Sequence, residues 1–222
     1  MRQLYHQPIS PSCRAIRILL HEKNLDFELR NEKIWERRDS FLRLNPAGEV
    51  PVLIDADGTT ISGVRVIVEY LEEAYPEPSL LGNSPVDRAE VRRLFDWFDQ
   101  KFQREVTVHL VEEKVMKRYF GSQTPDASAI RAGLKNIHMH LDYIAWLSDR
   151  RRWLAGDYLS LADIIAASHI SAIDYLGDIL WDDHPGAKDW YQRFKSRPSM
   201  RAILGDYVSG LKPAEHYTNL DF

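Results

Sequence analysis

The sequence predicts an α/β domain followed by an all-helical domain. Over the first 76 of its 222 residues, short strand patterns and helical patterns alternate in the order β-α-β-α-β-β-α. After a linker rich in proline, residues 77–85, no strand pattern recurs and apolar residues follow helical spacing. We therefore predict domains at 1–76 and 86–209, joined by that linker, and an extended tail at 210–222.

Each element of the first domain has a local signal. Residues 2–7 and 26–32 are predicted strands, and the helix between them begins after Ser10, a favourable N-cap, with Pro11 at its first position. A short helix over 36–44 ends at Asn45-Pro46. Strands at 50–54 and 59–61 flank an Asp-Ala-Asp-Gly turn, and a helix over 64–74 completes the domain.

Five helical segments are predicted in the second domain, at 86–119, 125–148, 160–176, 185–195 and 198–208. The third begins with a capping box, in which the Ser160 hydroxyl and the Asp163 carboxylate each accept a backbone N–H of the first turn.

Composition excludes several classes of protein. A net charge of -4 gives no general attraction to nucleic acid or to an anionic membrane, and no apolar run reaches the ~20 residues that span a bilayer. The single cysteine excludes an internal disulfide. His138 and His140 lack the spacing of metal ligands. We expect a cytoplasmic protein without a metal ion or a tightly bound cofactor.

Residues 45–71 resemble the second half of the N-terminal domain of cytosolic glutathione S-transferases, and the capping box at Ser160 is similar to one in their helical domain. The resemblance extends over residues 1–205. It implies a thioredoxin-like N-terminal domain, a helical bundle and a cis peptide bond at Val50-Pro51. It also implies a homodimer that pairs the N-terminal domain of one subunit with the helical domain of the other.

The resemblance also implies a glutathione site. Ser10 matches the serine that stabilises the glutathione thiolate, the backbone of Val50 would hold the cysteinyl unit, and Ser62 with Gly63 would bind the γ-glutamyl end. Family members usually have Glu-Ser at that last pair. Charge-assisted hydrogen bonds contribute ~1.5–3 kcal/mol each, so we expect glutathione binding to be possible but weak. Alternatively, Ser10 and Ser62 are plain N-caps.

Two further expectations concern the interior of this site. Cys13 lies in the first turn of the helix after Ser10, and we favour a small buried residue over a reactive thiol. An electrophilic substrate would lie against the helical domain near Val106, Leu110 and Tyr119.

Two segments have the composition of contact surfaces. Trp35 is followed by Arg37 and Arg38, a combination that is enriched in interface hot spots, although Trp35 could equally pack on its own domain or cover glutathione. The tail is unusually aromatic for a frayed terminus, so we expect it to dock, on its own chain or on a partner. The tail residues with this predicted partner role are Leu220, Asp221 and Phe222.

Two functions follow. The altered Glu-Ser pair, the Trp35 segment and the Asn-Leu-Asp-Phe ending resemble the alphaproteobacterial members of the superfamily that bind the tubulin-like division protein FtsZ. We favour such a homodimeric regulator that binds FtsZ filaments. The alternative is an active serine-type glutathione transferase that conjugates glutathione to small electrophiles, with a maleylacetoacetate isomerase-like enzyme as a weaker variant.

Overall fold

The structure is a computed structural model, and it describes residues 1–121 and 124–222. The N-terminal part is a four-stranded mixed sheet in the order β2-β1-β3-β4. Strand β1 pairs in parallel with β2 and antiparallel with β3, which pairs antiparallel with β4. These strands are β1 (Arg2–His6), β2 (Phe27–Asn31), β3 (Val52–Ile54) and β4 (Thr60–Ser62).

Three helices belong to the sheet domain: α1 (Pro11–Glu22), α2 (Asp39–Leu42) and α3 (Val64–Ala74). A 3₁₀ turn at Ile34–Glu36 precedes α2. The single helix that the sequence predicted over 36–44 is therefore divided in two. The break occurs at Arg37, whose φ of 45° lies in the left-handed region and cannot continue a right-handed helix.

The rest of the chain is helical. One continuous rod contains α4 (Pro85–Asp96), a segment with π-type hydrogen bonds (Trp97–Met116) and α5 (Lys117–Tyr119). The bundle continues with α6 (Ala127–Ser148), α7 (Leu161–Tyr175), α8 (Pro185–Lys195) and α9 (Arg201–Leu204). The predicted combination of an α/β domain and a helical bundle is confirmed. Among the described residues, no helix is both long and apolar enough to span a membrane.

Helix α7 is the centre of the bundle, and all of its residues are buried. The predicted capping box at its start is confirmed: the Asp163 carboxylate accepts from the Ser160 backbone N–H at 3.1 Å, while the Ser160 side chain caps the first turn. Asp163 also accepts from the backbone N–H of Leu154 at 2.8 Å and from the Trp190 indole at 3.1 Å. One buried carboxylate thus joins the helix start to two neighbouring segments.

Helix α1 packs against α7 and carries polar side chains into the helical domain. The buried Arg14 guanidinium donates to the Ser171 hydroxyl at 2.9 Å. Arg17, which is also buried, pairs with both carboxylate oxygens of Asp206 at 2.5 and 2.9 Å. One turn further along α1, Glu22 accepts two hydrogen bonds from Arg197, both at 2.7 Å. Hydrogen bonds and ion pairs therefore connect α1 to the helical domain from its first turn to its last.

The last predicted helix, over 198–208, is shorter in the structure. A 3₁₀ turn at Pro198–Met200 leads into α9, which ends at Leu204. From Gly205 onward the chain is a strap built mainly of turns. It is fixed by the Asp206 carboxylate on Arg17 and by the Tyr175 hydroxyl, which donates to the Leu211 carbonyl at 3.1 Å. The strap returns this part of the chain to the sheet domain.

Candidate functional site

The start of α1 has the geometry that the sequence predicted. Ser10 is the N-cap, and its hydroxyl oxygen accepts from the backbone N–H of Cys13 at 3.4 Å. Pro11 occupies the first helical position. Because the oxygen is used as an acceptor, the hydroxyl proton of the half-buried Ser10 remains available for donation. Capping and thiolate stabilisation are therefore compatible at this residue.

Cys13 is completely buried on the inner side of α1. Its sulfur accepts from the backbone N–H of Gln7 at 3.4 Å, and burial raises the pKa of the thiol to about 11. The expectation of a small buried residue is confirmed, since a protonated and inaccessible thiol is a poor nucleophile.

The loop before β3 contains the expected cis bond at Val50-Pro51. The Pro51 carbonyl accepts from the backbone N–H of Gly63 at 3.1 Å, so this loop lies against the start of α3. Val50 is half-buried there. The structure thus brings Val50 and Gly63 to one place, next to each other across the end of the sheet.

Helix α3 begins one residue later than the Ser62 cap would require. Ser62 is the last residue of β4, opposite Val52, and the N-cap is Gly63 with a φ of 88°. The alternative that Ser62 caps this helix is therefore wrong, because the strand ladder holds its backbone. The helix opens with Gly63 and Val64, which have no polar side-chain atom, and no side chain caps its first turn.

Arg65, in the first turn of α3, pairs with the carboxylate of Asp96 on α4 and lies over the Phe95 ring, with 5.4 Å between the guanidinium carbon and the ring centroid. This arginine therefore ties α3 to α4.

Trp35 connects the two domains at the mouth of a groove. Its ring stacks on Tyr119, with centroids 4.8 Å apart and an interplanar angle of 8°, and meets Phe120 edge-on at 6.3 Å. The Tyr119 hydroxyl donates to the Ser209 carbonyl of the strap at 3.0 Å. The alternatives for Trp35 were an interface contact, packing on its own domain or a cover over glutathione. In the structure the ring packs on the helical domain, and the residue remains partly exposed.

The groove behind this stack has a volume of about 280 Å³. Tyr119 lines it as expected, whereas Val106 and Leu110 are completely buried in the bundle and do not reach it. That part of the expectation is wrong because both side chains lie on the core side of the π-type segment. Met116 and Tyr207 also line the groove, which the sequence did not predict; the aromatic Tyr207 near the end of the predicted helix 198–208 was the available signal.

The two arginines after Trp35 differ in their surroundings. Arg38 pairs with the buried carboxylate of Glu32, with 3.1 Å between Nε and Oε1. Arg37 is exposed and covers Gly48 in the loop that leads to Val50. The segment thus presents charged groups beside the aromatic stack.

The tail docks on its own chain. Tyr217 is completely buried, with its ring centroid 5.0 Å from that of Tyr175 in an edge-on contact. Phe222 lies over the buried ammonium group of Lys195, 3.9 Å from the ring centroid. Leu220 and Asp221 remain exposed. Of the three tail residues predicted to contact a partner, Leu220 and Asp221 are therefore accessible, and Phe222 anchors the tail.

The chain matches known proteins in both its sheet domain and its helical domain. Residues 4–79 match the family model for the glutathione S-transferase N-terminal domain, and residues 107–198 match the one for the C-terminal domain. FtsZ-localized protein A from Caulobacter vibrioides is 46% identical, over 100% of this chain and 98% of that protein. Glutathione S-transferase GstB from Escherichia coli is 28% identical, over 92% and 98% respectively.

Solved structures agree with these matches over the whole chain. A glutathione S-transferase from Rhodospirillum rubrum superposes with a TM-score of 0.98 at 58% identity, covering all of both chains. FzlA from C. crescentus superposes with a TM-score of 0.96 at 46% identity, covering 100% of this chain and 99% of that one. The chain therefore belongs to the glutathione S-transferase superfamily.

Proposed function

We propose that this chain is a cytoplasmic, homodimeric regulator of cell division that binds FtsZ filaments on a glutathione transferase scaffold. The observation that carries the proposal is the 46% identity with FtsZ-localized protein A over the full chain. The similarity to the transferase GstB is lower, at 28%. Of FtsZ-localized protein A and GstB, the more similar relative favours the division role, while the 58% identity with the Rhodospirillum rubrum glutathione S-transferase supports the transferase alternative.

The start of α3 supports a degenerate glutathione site. Family members usually have Glu-Ser at the positions of Ser62 and Gly63, which here supply one hydroxyl group and one backbone N–H, and no side chain caps the first turn of α3. Two charge-assisted hydrogen bonds to the γ-glutamyl end would then be missing, each of ~1.5–3 kcal/mol. That loss corresponds to a decrease in affinity of roughly a hundredfold or more. Glutathione would bind weakly through Ser10 and the backbone of Val50.

The groove mouth is the proposed contact with the filament. Trp35 and Tyr119 form a rigid stack, and Phe120 beside them is 56% exposed. Arg37 and Arg38 follow Trp35 in the chain, and both are exposed. Tryptophan, tyrosine and arginine are the residues that most often dominate binding energy in interfaces. The exposed tail residues offer a further contact for a partner.

A second surface is suited to dimerisation. Val66 on α3, and Met139 and Trp146 on α6, are 58%, 42% and 50% exposed. Three rings form a row in the order Trp97, Tyr143 and Trp146. The Tyr143 ring centroid lies 4.5 Å from that of Trp97 and 6.1 Å from that of Trp146. Met139 and Trp146 lie two turns apart on the same face of α6, and exposed large apolar side chains that share a face indicate burial against another molecule. Sedimentation velocity should give a dimer, and Trp146→Glu should shift it toward the monomer.

Co-sedimentation with FtsZ filaments assembled with GTP tests the division role. The wild-type chain should pellet with filaments, and Trp35→Ala should weaken binding at least tenfold, as expected for a hot spot worth about 2 kcal/mol. Tyr158→Ala is the matched control, because this aromatic residue is 83% exposed and lies in another segment. A wild-type chain that stays in the supernatant would reject the proposal.

One observation favours the transferase alternative. Ser10 keeps a free hydroxyl proton at the N-terminus of a 12-residue helix, where the backbone N–H groups stabilise a thiolate. Calorimetry with glutathione separates the two functions. A dissociation constant below the millimolar range, lost in Ser10→Ala together with conjugation of a model electrophile, would establish the enzyme. If a titration with a high concentration of glutathione releases no heat, the site has no catalytic role.

A further inference from the structure

A second groove lies away from the Trp35 mouth, between the connection from α7 to α8 and the tail. We name it the α7–α8 groove, and its volume is about 520 Å³. Ile179 and Trp181 form its floor, and Phe222 forms one wall. Leu180 at its lip is 65% exposed, although the residues on either side of it are buried. We propose that this groove docks a segment of a partner protein in which lysine or arginine residues flank an apolar side chain.

The wall of the groove is rigid before any partner arrives. The ammonium group of Lys195 lies 3.9 Å from the Phe222 ring centroid and 3.8 Å from a carboxylate oxygen of Asp174, and both charged residues are buried. The side chain of Gln192 donates to the Phe222 carbonyl at 2.9 Å. The Trp181 ring meets Phe222 edge-on at 5.2 Å. A preformed apolar surface binds without the entropic cost of ordering its own side chains.

The rim of the groove is acidic. Asp182 is fully exposed, and Asp183 lines the groove beside it. Among the described residues that line the groove, Lys188 is the single cation of fixed charge, and its ammonium group lies 3.6 Å from Asp182. The side chains of fixed charge that line the groove are Asp182, Asp183 and Lys188, so they sum to a charge of −1. Such a rim attracts a cationic segment and repels anionic surfaces.

Charge also decides between a foreign partner and a second copy of the chain. In a two-fold symmetric contact the same surface meets itself, so Asp182 and Asp183 of one copy would face the same carboxylates of the other. Like charges that are brought together in a desolvated contact are unfavourable. A segment with basic residues satisfies both the apolar floor and the acidic rim, which a second copy does not.

The test begins with selection from a random-peptide display library on the full-length protein. Enriched peptides should combine lysine or arginine with a leucine, phenylalanine or tryptophan. Their binding, measured by fluorescence anisotropy, should weaken at least tenfold in Leu180→Arg and in the double variant Asp182→Lys/Asp183→Lys. It should also weaken as salt increases, because ionic contacts are screened. Tyr158→Arg, a charge added at a distant exposed residue, should leave binding unchanged.

Four results would overturn the proposal. The first is that no peptide is enriched, and the second is that enriched peptides are acidic or bind all variants equally. The third is that Leu180→Arg changes the oligomeric state in sedimentation velocity, which would assign the groove to a second copy. The fourth is loss of FtsZ co-sedimentation in these variants, which would make the groove part of the filament contact. Retained co-sedimentation is expected, and it keeps this test separate from that of the proposed function.

Discussion

Removal of the Tyr217 ring should destabilise the protein and free the tail. The side chain is completely buried, its ring packs edge-on against Tyr175 at 5.0 Å, and its hydroxyl donates to the Ile203 carbonyl at 3.4 Å. Truncation of a buried aromatic side chain to alanine costs ~3–5 kcal/mol. For a chain of this size each kcal/mol lowers Tm by about 2–4 °C, so Tyr217→Ala should lower Tm by about 6–20 °C.

Two further variants separate the ring from its surroundings. Tyr217→Phe keeps the ring and removes one long hydrogen bond, so its cost should be ~0.5–1 kcal/mol. Leu220→Ala changes a tail residue that is 40% exposed, and its effect should stay within ~0.5 kcal/mol. Urea unfolding followed by circular dichroism gives all three values. Limited proteolysis should cut the tail of Tyr217→Ala first, because its anchor is gone.

The reasoning fails if Tyr217→Ala unfolds within about 0.5 kcal/mol of the wild type. Such a result would mean that the tail does not pack on Tyr175 in solution. A large loss in Tyr217→Phe would also contradict it, because the stability would then come from the hydroxyl group rather than from the buried ring.

Three other outcomes follow from the structure. Burial lowers the pKa of His169 to about 3, so the unfolded state binds one more proton than the folded state below pH 6.5. The free energy of unfolding therefore decreases as the pH is lowered below 6.5. Between pH 6.5 and 5 this loss should be about 2 kcal/mol larger in the wild type than in His169→Gln, measured by urea unfolding at each pH. Cys13 should resist iodoacetamide at pH 7.5 until the protein is unfolded, and fast labelling of the native state, followed by mass spectrometry, would contradict its burial. The double variant Ser62→Glu/Gly63→Ser should bind glutathione at least tenfold more tightly in calorimetry, and an unchanged affinity would reject the missing contacts as the cause of weak binding.

Local signals in the sequence predicted most of the elements. The capping box at Ser160 and the N-cap at Ser10 are confirmed because each is made within one turn of helix, so neighbouring residues contain the whole interaction. All four strands also agree within one or two residues at each end. The break at Arg37 was missed because no residue type demands a left-handed conformation there.

The groove was less predictable because distant segments build it. Tyr119 and Ser209 are 90 residues apart, and their hydrogen bond depends on how the strap returns to the sheet domain. Helical spacing assigned Val106 to the groove, whereas the packing of α7 turns that side of the rod into the core. The aromatic tail predicted that Tyr217 docks, but its partner Tyr175 was not predictable because it belongs to another element.

The polar contacts of α1 explain how the fold can remain stable when residues of the glutathione site are substituted. Arg14, Arg17 and Glu22 bind the helical domain directly, so the two domains are held together by the chain itself and not by a shared ligand. A substitution at the start of α3 can then abolish a ligand contact without loosening the fold. Natural selection is free to alter Ser62 and Gly63 while the exposed surfaces acquire new partners.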